Sequence, residues 1–314
     1  MRIIVTGATG FVGQAAIAHL REAGHDVLAA TRRVAPCAAP VRVVGDIDSH
    51  TDWGAHLDGV DCVIHLAARV HVMHDSNGLE AYREVNTRGT QQLAESAARA
   101  GVRRFVYLSS AKVLGESSGS SVFSDASPAA PTDPYAASKH EAEIALQQVT
   151  AQSGMEVCIL RPPLVYGPGV RANFLRLLRW IDRGIPLPFG VVRNARSLVA
   201  LDNLANAITV CATHPRAAGQ TFLVADSEPL STPELIRRLA TALDRPARLV
   251  PVPPAALRFA GRLTGKTAEI DRLLGNFRVD SAGIRTALDW QPPVSSDKAL
   301  ALTAAWYREQ HPKQ

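Results

Sequence analysis

Cysteine is scarce in this sequence, and its few thiols are scattered. The 314 residues include four cysteines, which form no C-x-x-C pair: Cys37, Cys62, Cys158 and Cys211. This spacing argues against a zinc site or a disulfide framework and is typical of a reducing cytoplasm. Long apolar runs are also missing, because none approaches the roughly 18 residues that span a bilayer, and the N-terminus does not resemble a signal peptide. We therefore expect a cytoplasmic protein that is not inserted in a membrane.

The sequence also lacks a strong excess of one charge. Lysine and arginine total 34 against 29 acidic residues, which leaves a net charge of +5, and aromatic residues make up 5% of the chain. The basic residues are spread along predicted helices, so we expect no nucleic-acid partner and instead an anionic small molecule.

The sequence has too few candidate ligands at suitable spacing to form a metal site. His71 and His74 lie three residues apart beyond a predicted strand that ends at His65, but no carboxylate or cysteine completes a coordination shell at motif spacing. We expect no bound metal. His71 either lines a substrate pocket or lies in an ordinary loop.

What the chain does have is a glycine-rich turn after its first strand. The β-branched run Ile3-Ile4-Val5 leads into Gly7, Gly10 and Gly13, and a helical period follows. A strand, a glycine turn and a helix N-terminus together can bind a pyrophosphate, because backbone N–H groups can approach the anion. The spacing G-x-x-G-x-x-G departs from G-x-G-x-x-G, and the alternative is a tight strand–helix connection without a ligand.

Strands and helices alternate through the first half of the chain. Predicted strands at 27–30, 41–44, 61–65, 104–109 and 156–160 flank helices at 79–100 and 135–152. This rhythm predicts an α/β fold with a doubly wound parallel sheet. Predicted helices at 172–182, 202–213, 232–242 and 297–309 dominate afterwards. We therefore expect a dinucleotide-binding domain over 1–164 and a smaller, mostly helical substrate domain over 165–314, with segments near 197–225 returning to the first.

Three residues form the candidate catalytic group. Tyr135 and Lys139 are four apart on a predicted helix, hence on one face, and an adjacent ammonium lowers the pKa of a phenol. Ser110 ends the preceding strand, at the edge where open α/β sheets bind ligands. Its hydroxyl can hold the substrate oxygen that Tyr135 protonates or deprotonates. A Pro-rich loop over 117–134 separates the serine from the tyrosine and is expected to flank the site.

The chain resembles the extended short-chain dehydrogenase/reductase superfamily of nucleotide-sugar epimerases, dehydratases and reductases along nearly its whole length. The resemblance rests on these phrases: Thr6-Gly-Ala-Thr-Gly-Phe-Val-Gly13, Gly45-Asp46-Ile47, His65-Leu-Ala-Ala68, Asn86, Ser109-Ser110, Tyr135…Lys139, Arg161-Pro162-Pro163, Val165-Tyr166-Gly167-Pro168-Gly169 and Arg196…Asp202-Asn203. It implies a Rossmann fold that binds NAD or NADP, and a homodimer in which the helices at 79–100 and 135–152 pair across a two-fold axis.

The resemblance also implies roles for individual residues. Contacts to the cofactor are expected from Gly7, Gly10, Phe11, Val12, Gly13, Asp46, Ile47, Leu66, Ala67, Ala68, Asn86, Tyr135, Lys139 and Pro162. Among these, Asp46 and Ile47 would contact the adenine, and Pro162 would lie near the nicotinamide. Asn173 and Arg196 match positions that hold the diphosphate of a nucleotide sugar, and Ser110 and His71 would contact the sugar.

The choice of dinucleotide depends on the end of the second strand. Thr31-Arg32-Arg33 has no carboxylate for a ribose 2′-hydroxyl, and Arg32 and Arg33 could instead pair with the 2′-phosphate of NADP. The alternatives are a solvated pair of arginines and a site for NAD. A net reductase exchanges its cofactor at each turnover, and NADPH is the usual reductant. An arginine pair that binds the 2′-phosphate therefore favours ketoreduction over epimerisation.

A narrower resemblance rests on Ala68-Arg-Val-His-Val-Met73 and Ala172-Asn-Phe-Leu-Arg-Leu-Leu-Arg179. In these phrases the chain is similar to UDP-glucose 4-epimerase-like proteins, and nearest to UDP-N-acetylquinovosamine 4-keto reductases of surface polysaccharide biosynthesis. Leu114 and Leu164 replace polar residues of the epimerase pattern. The first expectation is therefore reduction of a UDP-4-keto-6-deoxy-HexNAc. The alternatives are a UDP-glucose or UDP-N-acetylglucosamine 4-epimerase with tightly bound NAD, and a non-catalytic dinucleotide-binding protein. Dehydration is disfavoured, because Ala111 and Lys112 follow Ser110 where a dehydratase needs an acidic pair.

Overall fold

The structure is a computed structural model that describes residues 1–70, 78–265 and 267–311. Its centre is a sheet of seven parallel strands in the order β3-β2-β1-β4-β5-β6-β9. These strands are β1 (Arg2–Thr6), β2 (Asp26–Thr31), β3 (Val41–Val43), β4 (Cys62–His65), β5 (Arg104–Leu108), β6 (Glu156–Arg161) and β9 (Thr221–Leu223). Two further strands, β7 (Leu164–Tyr166) and β8 (Leu198–Ala200), form a separate parallel pair.

Eleven α-helices are found in the described part of the chain. They are α1 (Phe11–Glu22), α2 (Gly78–Tyr82), α3 (Gly89–Arg99), α4 (Pro134–Ser153), α5 (Ala172–Asp182), α6 (Leu201–Thr213), α7 (Thr232–Ala242), α8 (Pro254–Leu263), α9 (Thr267–Leu274), α10 (Ala282–Leu288) and α11 (Ser296–Gln310). A π-helical turn, Arg83–Arg88, joins α2 to α3. None of the helices in these ranges is long and apolar enough to cross a membrane.

The predicted doubly wound sheet is confirmed, and strand β1 shows why its strands are apolar throughout. Ile3 and Val5 pack into a cluster with α1 and α6, whereas Ile4 packs into the opposite cluster with α3 and α4. Because helices cover both faces of a parallel sheet, side chains of both orientations are buried. The strand order reverses between β1 and β4, and ligands of open α/β sheets bind at that point, beyond the carboxyl ends of the strands.

The later helices build a second apolar cluster. Side chains of α5, α7 and α11 pack together there, among them Phe174, Leu239 and Leu300. The chain also returns to the main sheet, since β9 pairs with β6 and α6 packs on α1. The division at residue 164 stays a prediction. The sequence predicted that segments near 197–225 return to the first part of the chain, but it gave no separate bounds for β7 to β9 or α8 to α10.

A buried arginine connects the sheet to α6. Arg104, on β5, has a side chain that is 3% exposed and lies 2.6 Å from Glu156 on β6. Its Nη1 donates hydrogen bonds to the carbonyl oxygens of Cys211 at 2.8 Å and His214 at 3.0 Å. These carbonyls lie at the C-terminal end of α6, where helix backbone acceptors lack helical partners.

We predict that Arg104→Met lowers the free energy of unfolding by about 2–4 kcal/mol, because buried carbonyls and Glu156 lose their donor. Urea titration followed by circular dichroism measures the loss. The control is Arg99→Met, which removes an arginine that is 66% exposed and 4.0 Å from Glu95 and should have a much smaller effect. Equal losses for the two variants would contradict a stabilising role for Arg104.

Candidate active site

The glycine turn between β1 and α1 has no space for a side chain at Gly7 or Gly13. Gly7 has φ of +66°, and a Cβ there would lie 2.7 Å from the backbone nitrogen of Ala67. A Cβ on Gly13 would lie 2.1 Å from the carbonyl oxygen of Gly7. Gly10 precedes α1 and provides no side-chain cap for its N-terminal N–H groups. The turn therefore offers backbone donors and a cradle of the shape that a pyrophosphate needs.

A hydroxyl group joins this turn to the loop that follows β4. The Oγ1 of Thr6 accepts hydrogen bonds from the backbone N–H groups of Leu66 and Ala67, each at 3.2 Å. The same oxygen lies 2.6 Å from Nδ1 of His65. Because the two N–H groups occupy its acceptor sites, the hydroxyl proton is directed at the imidazole. The two loops expected to bind the cofactor are thus held at one place.

The hydrogen bonds also determine the tautomer of His65. The hydroxyl of Thr90 donates to the carbonyl of Asn86 at 2.6 Å, so it accepts from Nε2 of His65 at 2.9 Å. Nδ1 is then unprotonated and accepts from Thr6. Burial, with a smaller contribution from the charge of Lys139, lowers the pKa of His65 to about 3. The imidazole is a neutral structural group here.

Asn86 lies in the π-helical turn, and its amide is fully used by protein partners. Its Oδ1 accepts from the N–H of Arg69 at 2.7 Å, and its Nδ2 donates to the carbonyl of Arg69 at 3.1 Å. Nδ2 also lies 3.0 Å from Oγ of Ser138 on α4. Asn86 thereby joins the loop after β4 to the helix that carries the tyrosine and lysine.

Helix α4 begins at a well-defined cap and carries two of the predicted catalytic residues. Oδ1 of Asp133 accepts the N–H of Ala136 at 2.7 Å, and Pro134 occupies the first turn. Tyr135 follows directly and is half-buried. One turn later, the buried Lys139 donates from Nζ to the carbonyl of Leu108, at the end of β5, at 2.8 Å.

Burial shifts the pKa values of both Lys139 and Tyr135. Burial lowers the pKa of Lys139 to about 7, against the opposing charge of Glu143. Burial also raises the pKa of Tyr135 above its usual value, and Asp133 and Tyr82 add to the rise. The expected lowering of the phenol pKa by the ammonium is therefore wrong, because desolvation dominates at Tyr135 and also disfavours the charged form of Lys139.

Ser110 lies immediately beyond β5, as predicted. It is half-buried, and its Oγ accepts the backbone N–H of Lys112 at 3.2 Å. The next residue, Ala111, donates its N–H to the carbonyl of Pro162 at 2.9 Å. The expected nicotinamide neighbour and the serine thus occupy adjacent segments at the carboxyl ends of β5 and β6.

In the region expected to hold the adenine, Arg32 already forms an ion pair within the protein. Nε of Arg32 lies 2.6 Å from Oδ1 of Asp46, and both side chains are 71% exposed. Arg33 is exposed beside them. Ile47 packs close to Gly89, where a Cβ would come within 3.0 Å of its Cγ2. Asp46 and the arginines share one open surface at the end of the second strand.

The expected diphosphate residues are placed on the helical part of the chain. Arg196 donates from Nη1 to the carbonyls of Arg272 at 2.5 Å and Gly275 at 3.2 Å, and burial lowers the pKa of its guanidinium. Asn173 is exposed in the first turn of α5, where its Oδ1 accepts from Arg176 at 2.9 Å. His71 lies outside the described residues.

The sequence did not identify Arg272 or Glu116 as part of this region. Arg272 lies on α9 beside Arg196, and its Nε is 2.5 Å from Oε1 of Glu116. Both residues line a cavity of about 320 Å³, with Ser117, Thr132, Asp133, Ala268 and Asp271. No motif precedes α9, so the sequence held no signal for this contact.

Comparison with known proteins identifies the family to which the sequence is similar. Residues 3–225 match the NAD dependent epimerase/dehydratase family. A Vibrio cholerae protein called UDP-glucose 4-epimerase is 44% identical over 310 residues, which cover 96% of this chain and 94% of that protein.

Solved structures show the same fold. MoeE5 in complex with UDP-glucose and NAD superposes with a TM-score of 0.80 at 25% identity and covers 99% of both chains. The dTDP-glucose 4,6-dehydratase DesIV of Streptomyces venezuelae, with NAD and TYD bound, has a TM-score of 0.77 at 26% identity over 98% of this chain and 97% of its own. Both neighbours hold NAD.

We predict that Gly13→Ala weakens dinucleotide binding at least about tenfold, equivalent to ~1.4 kcal/mol, because the added methyl group would displace the Gly7 carbonyl. Equilibrium titration with NAD measures the change. Gly54→Ala is the matched control, since its Cβ would meet only the flexible side chain of Asp52, at 3.2 Å. Unchanged affinity in Gly13→Ala would show that the glycine turn does not contact the dinucleotide.

Proposed function

The chain belongs to the NAD dependent epimerase/dehydratase family, and we propose that it inverts the configuration at C4 of a UDP-sugar with tightly held NAD. The observation that supports the proposal is the hydrogen bond from Lys139, one turn after Tyr135 on α4, to the carbonyl of Leu108 at the end of β5, the strand that Ser110 follows. The similarity to the Vibrio cholerae protein along almost the whole chain supports the epimerase over the reductase.

The residues present fit a dinucleotide. The side-chain-free cradle of Gly7, Gly10 and Gly13 would hold the pyrophosphate, with Phe11 and Val12 in the first turn of α1. The loop 66–68 and Pro162 would line the path to the nicotinamide, and Asp46 with Ile47 would hold the adenine. When bound, NAD supplies a reversible hydride acceptor.

Tyr135 would move the proton at the C4 hydroxyl of the sugar. The phenol must first lose its own proton; the resulting phenolate would take the C4 proton as the alcohol is oxidised and return it as the ketone is reduced. Ser110 would donate a hydrogen bond to the same sugar oxygen and hold it near the phenol. Lys139, anchored on the Leu108 carbonyl, would place a nitrogen whose pKa is about 7 one helical turn from Tyr135.

The diphosphate of the substrate would be held by Arg196 and Asn173. The guanidinium of Arg196 is bound to carbonyl groups and lies beside a second cation, Arg272. Because Arg272 already pairs with Glu116, Arg196 is the guanidinium proposed to donate charge-assisted hydrogen bonds to the diphosphate. We also propose that the protein forms a homodimer in which α3 and α4 pair across a two-fold axis.

The second candidate is a 4-keto reductase of a UDP-4-keto-6-deoxy sugar that uses NADPH. The observation in its favour is the absence of a carboxylate at Thr31-Arg32-Arg33. Against it, Asp46 occupies the guanidinium of Arg32 at 2.6 Å, so a 2′-phosphate would have to compete with that carboxylate.

We predict that Tyr135→Phe slows interconversion of UDP-glucose or UDP-N-acetylglucosamine with its C4 epimer by at least ~100-fold, since only the proton-carrying oxygen is lost. Proton NMR of the sugar measures the rate, and the NAD content of the purified protein should not change. Tyr307→Phe serves as the control for loss of a phenol away from the site, because its hydroxyl lies 3.3 Å from Asp182. More than about a tenth of wild-type activity in Tyr135→Phe would exclude this tyrosine as the acid–base group.

We predict that the purified protein retains NAD through dialysis, and that Arg32→Ala changes NADH affinity less than about threefold, because Arg32 is engaged by Asp46. Fluorescence titration with NADH and NADPH, on wild type and variant from which bound NAD has been removed, compares the four affinities. A wild-type preference for NADPH of about tenfold or more that Arg32→Ala abolishes would favour the reductase instead. Arg99→Ala controls for the loss of one surface charge.

A further inference from the structure

Lys112 lies between the two segments that carry the proposed acid–base residues. Its backbone N–H donates to Oγ of Ser110 at 3.2 Å. Its Nζ lies 2.5 Å from Oδ2 of Asp133 and 3.3 Å from Oε2 of Glu116. The side chain is 31% exposed, so its charge is partly shielded from solvent. One residue therefore contacts the serine through its main chain and the start of α4 through its side chain.

The two oxygens of Asp133 have different partners. Oδ1 accepts the N–H of Ala136 and caps α4, whereas Oδ2 accepts the ammonium of Lys112. Tyr135 lies between the cap and Ala136, in the first helical turn. A shift of Asp133 would displace that turn and the phenol with it, because the cap fixes where the helix begins.

The ionic contacts continue from Lys112 through Glu116 to helix α9, which contributes Arg272 to the lining of the 320 Å³ cavity. Glu116 bonds to Lys112 on one oxygen and to Arg272 of α9 on the other, at 2.5 Å. With a carboxylate on each side, the ammonium is already neutralised within the protein. The ammonium of Lys112 therefore stabilises contacts between protein segments and does not bind an anionic group of the substrate.

We propose that Lys112 is a positioning residue that sets the distance between the hydroxyl of Ser110 and the phenol of Tyr135 by holding Asp133. The proposal rests on the acid–base roles proposed above for these two residues. A displacement of about 1 Å in a reacting group can lower the rate by up to ~100-fold without changing what the site binds. Loss of the ion pair should therefore lower kcat and leave KM nearly unchanged.

The test compares Lys112→Met, Lys112→Arg and Asp133→Asn with wild type. Methionine keeps the chain length but removes the charge, arginine restores the charge, and asparagine keeps the helix cap but loses the ion pair. We expect kcat to fall about 10- to 100-fold in Lys112→Met and Asp133→Asn, with KM and NAD content within about twofold of wild type, and to recover largely in Lys112→Arg. Lys298→Met is the control, since Lys298 is exposed on α11.

The double variant Lys112→Met/Asp133→Asn separates positioning from direct contact. If Lys112 acts through Asp133, the double variant loses no more kcat than either single variant. Additive losses, or a raised KM as the main effect of Lys112→Met, would show that the ammonium contacts substrate and would overturn the proposal. So would full kcat in Lys112→Met.

Crystal structures of wild type and Lys112→Met give a reading that does not depend on turnover. We expect the distance between Ser110 Oγ and Tyr135 Oη to change by about 1 Å in the variant, and an unchanged distance would overturn the proposal. Tyr135→Phe is assayed in parallel. Activity in that variant would defeat the proposed function, whereas an inactive Tyr135→Phe beside a fully active Lys112→Met would defeat only the role of Lys112.

Discussion

The arrangement at the end of the sheet depends on a close approach between two stretches of backbone. Strands β1 and β4 are neighbours with Thr6 opposite His65, so the turns that follow them leave the sheet side by side. They can meet only because Gly7 has no side chain where the backbone of Ala67 passes. The hydroxyl of Thr6 then bonds to the second turn, and Gly13 lets α1 lie close to the first. A larger residue at Gly7 or Gly13 would force apart the surfaces proposed to hold the dinucleotide.

Desolvation controls the proton positions around the proposed catalytic residues. The amine of Lys139 is held by a carbonyl group and lies 4.5 Å from the centre of the Tyr107 ring, where water cannot stabilise its charge. The phenol of Tyr135 has acidic and aromatic neighbours that disfavour its anion. Both groups are thus held nearer their neutral forms than in water. A bound ligand that brings positive charge to the phenol, or negative charge to the amine, would oppose these shifts.

Much of the fold could be predicted from the sequence because its signals are local. The glycine turn follows from residue spacing, and α4 and α5 lie within one residue of the predicted helices at 135–152 and 172–182. The contacts of Arg196 could not be predicted, since its carbonyl partners lie more than seventy positions away, one on α9 and one just beyond it. The ion pair between Arg32 and Asp46 has no signal in the sequence either, because the two residues lie in different turns of the chain. Burial, which shifts the pKa of Tyr135, depends on tertiary packing that no single stretch of sequence describes.

The return of the chain to its first sheet has a consequence for dissecting the protein. Strand β9 covers the edge of β6, and α6 covers the face of α1 with apolar residues such as Leu204 and Ile208. A fragment cut near residue 164 would expose both a parallel strand edge and an apolar helix face, and such surfaces promote aggregation. We therefore do not expect residues 1–164 to fold as an independent module, and a soluble minimal version would have to include the chain at least through β9.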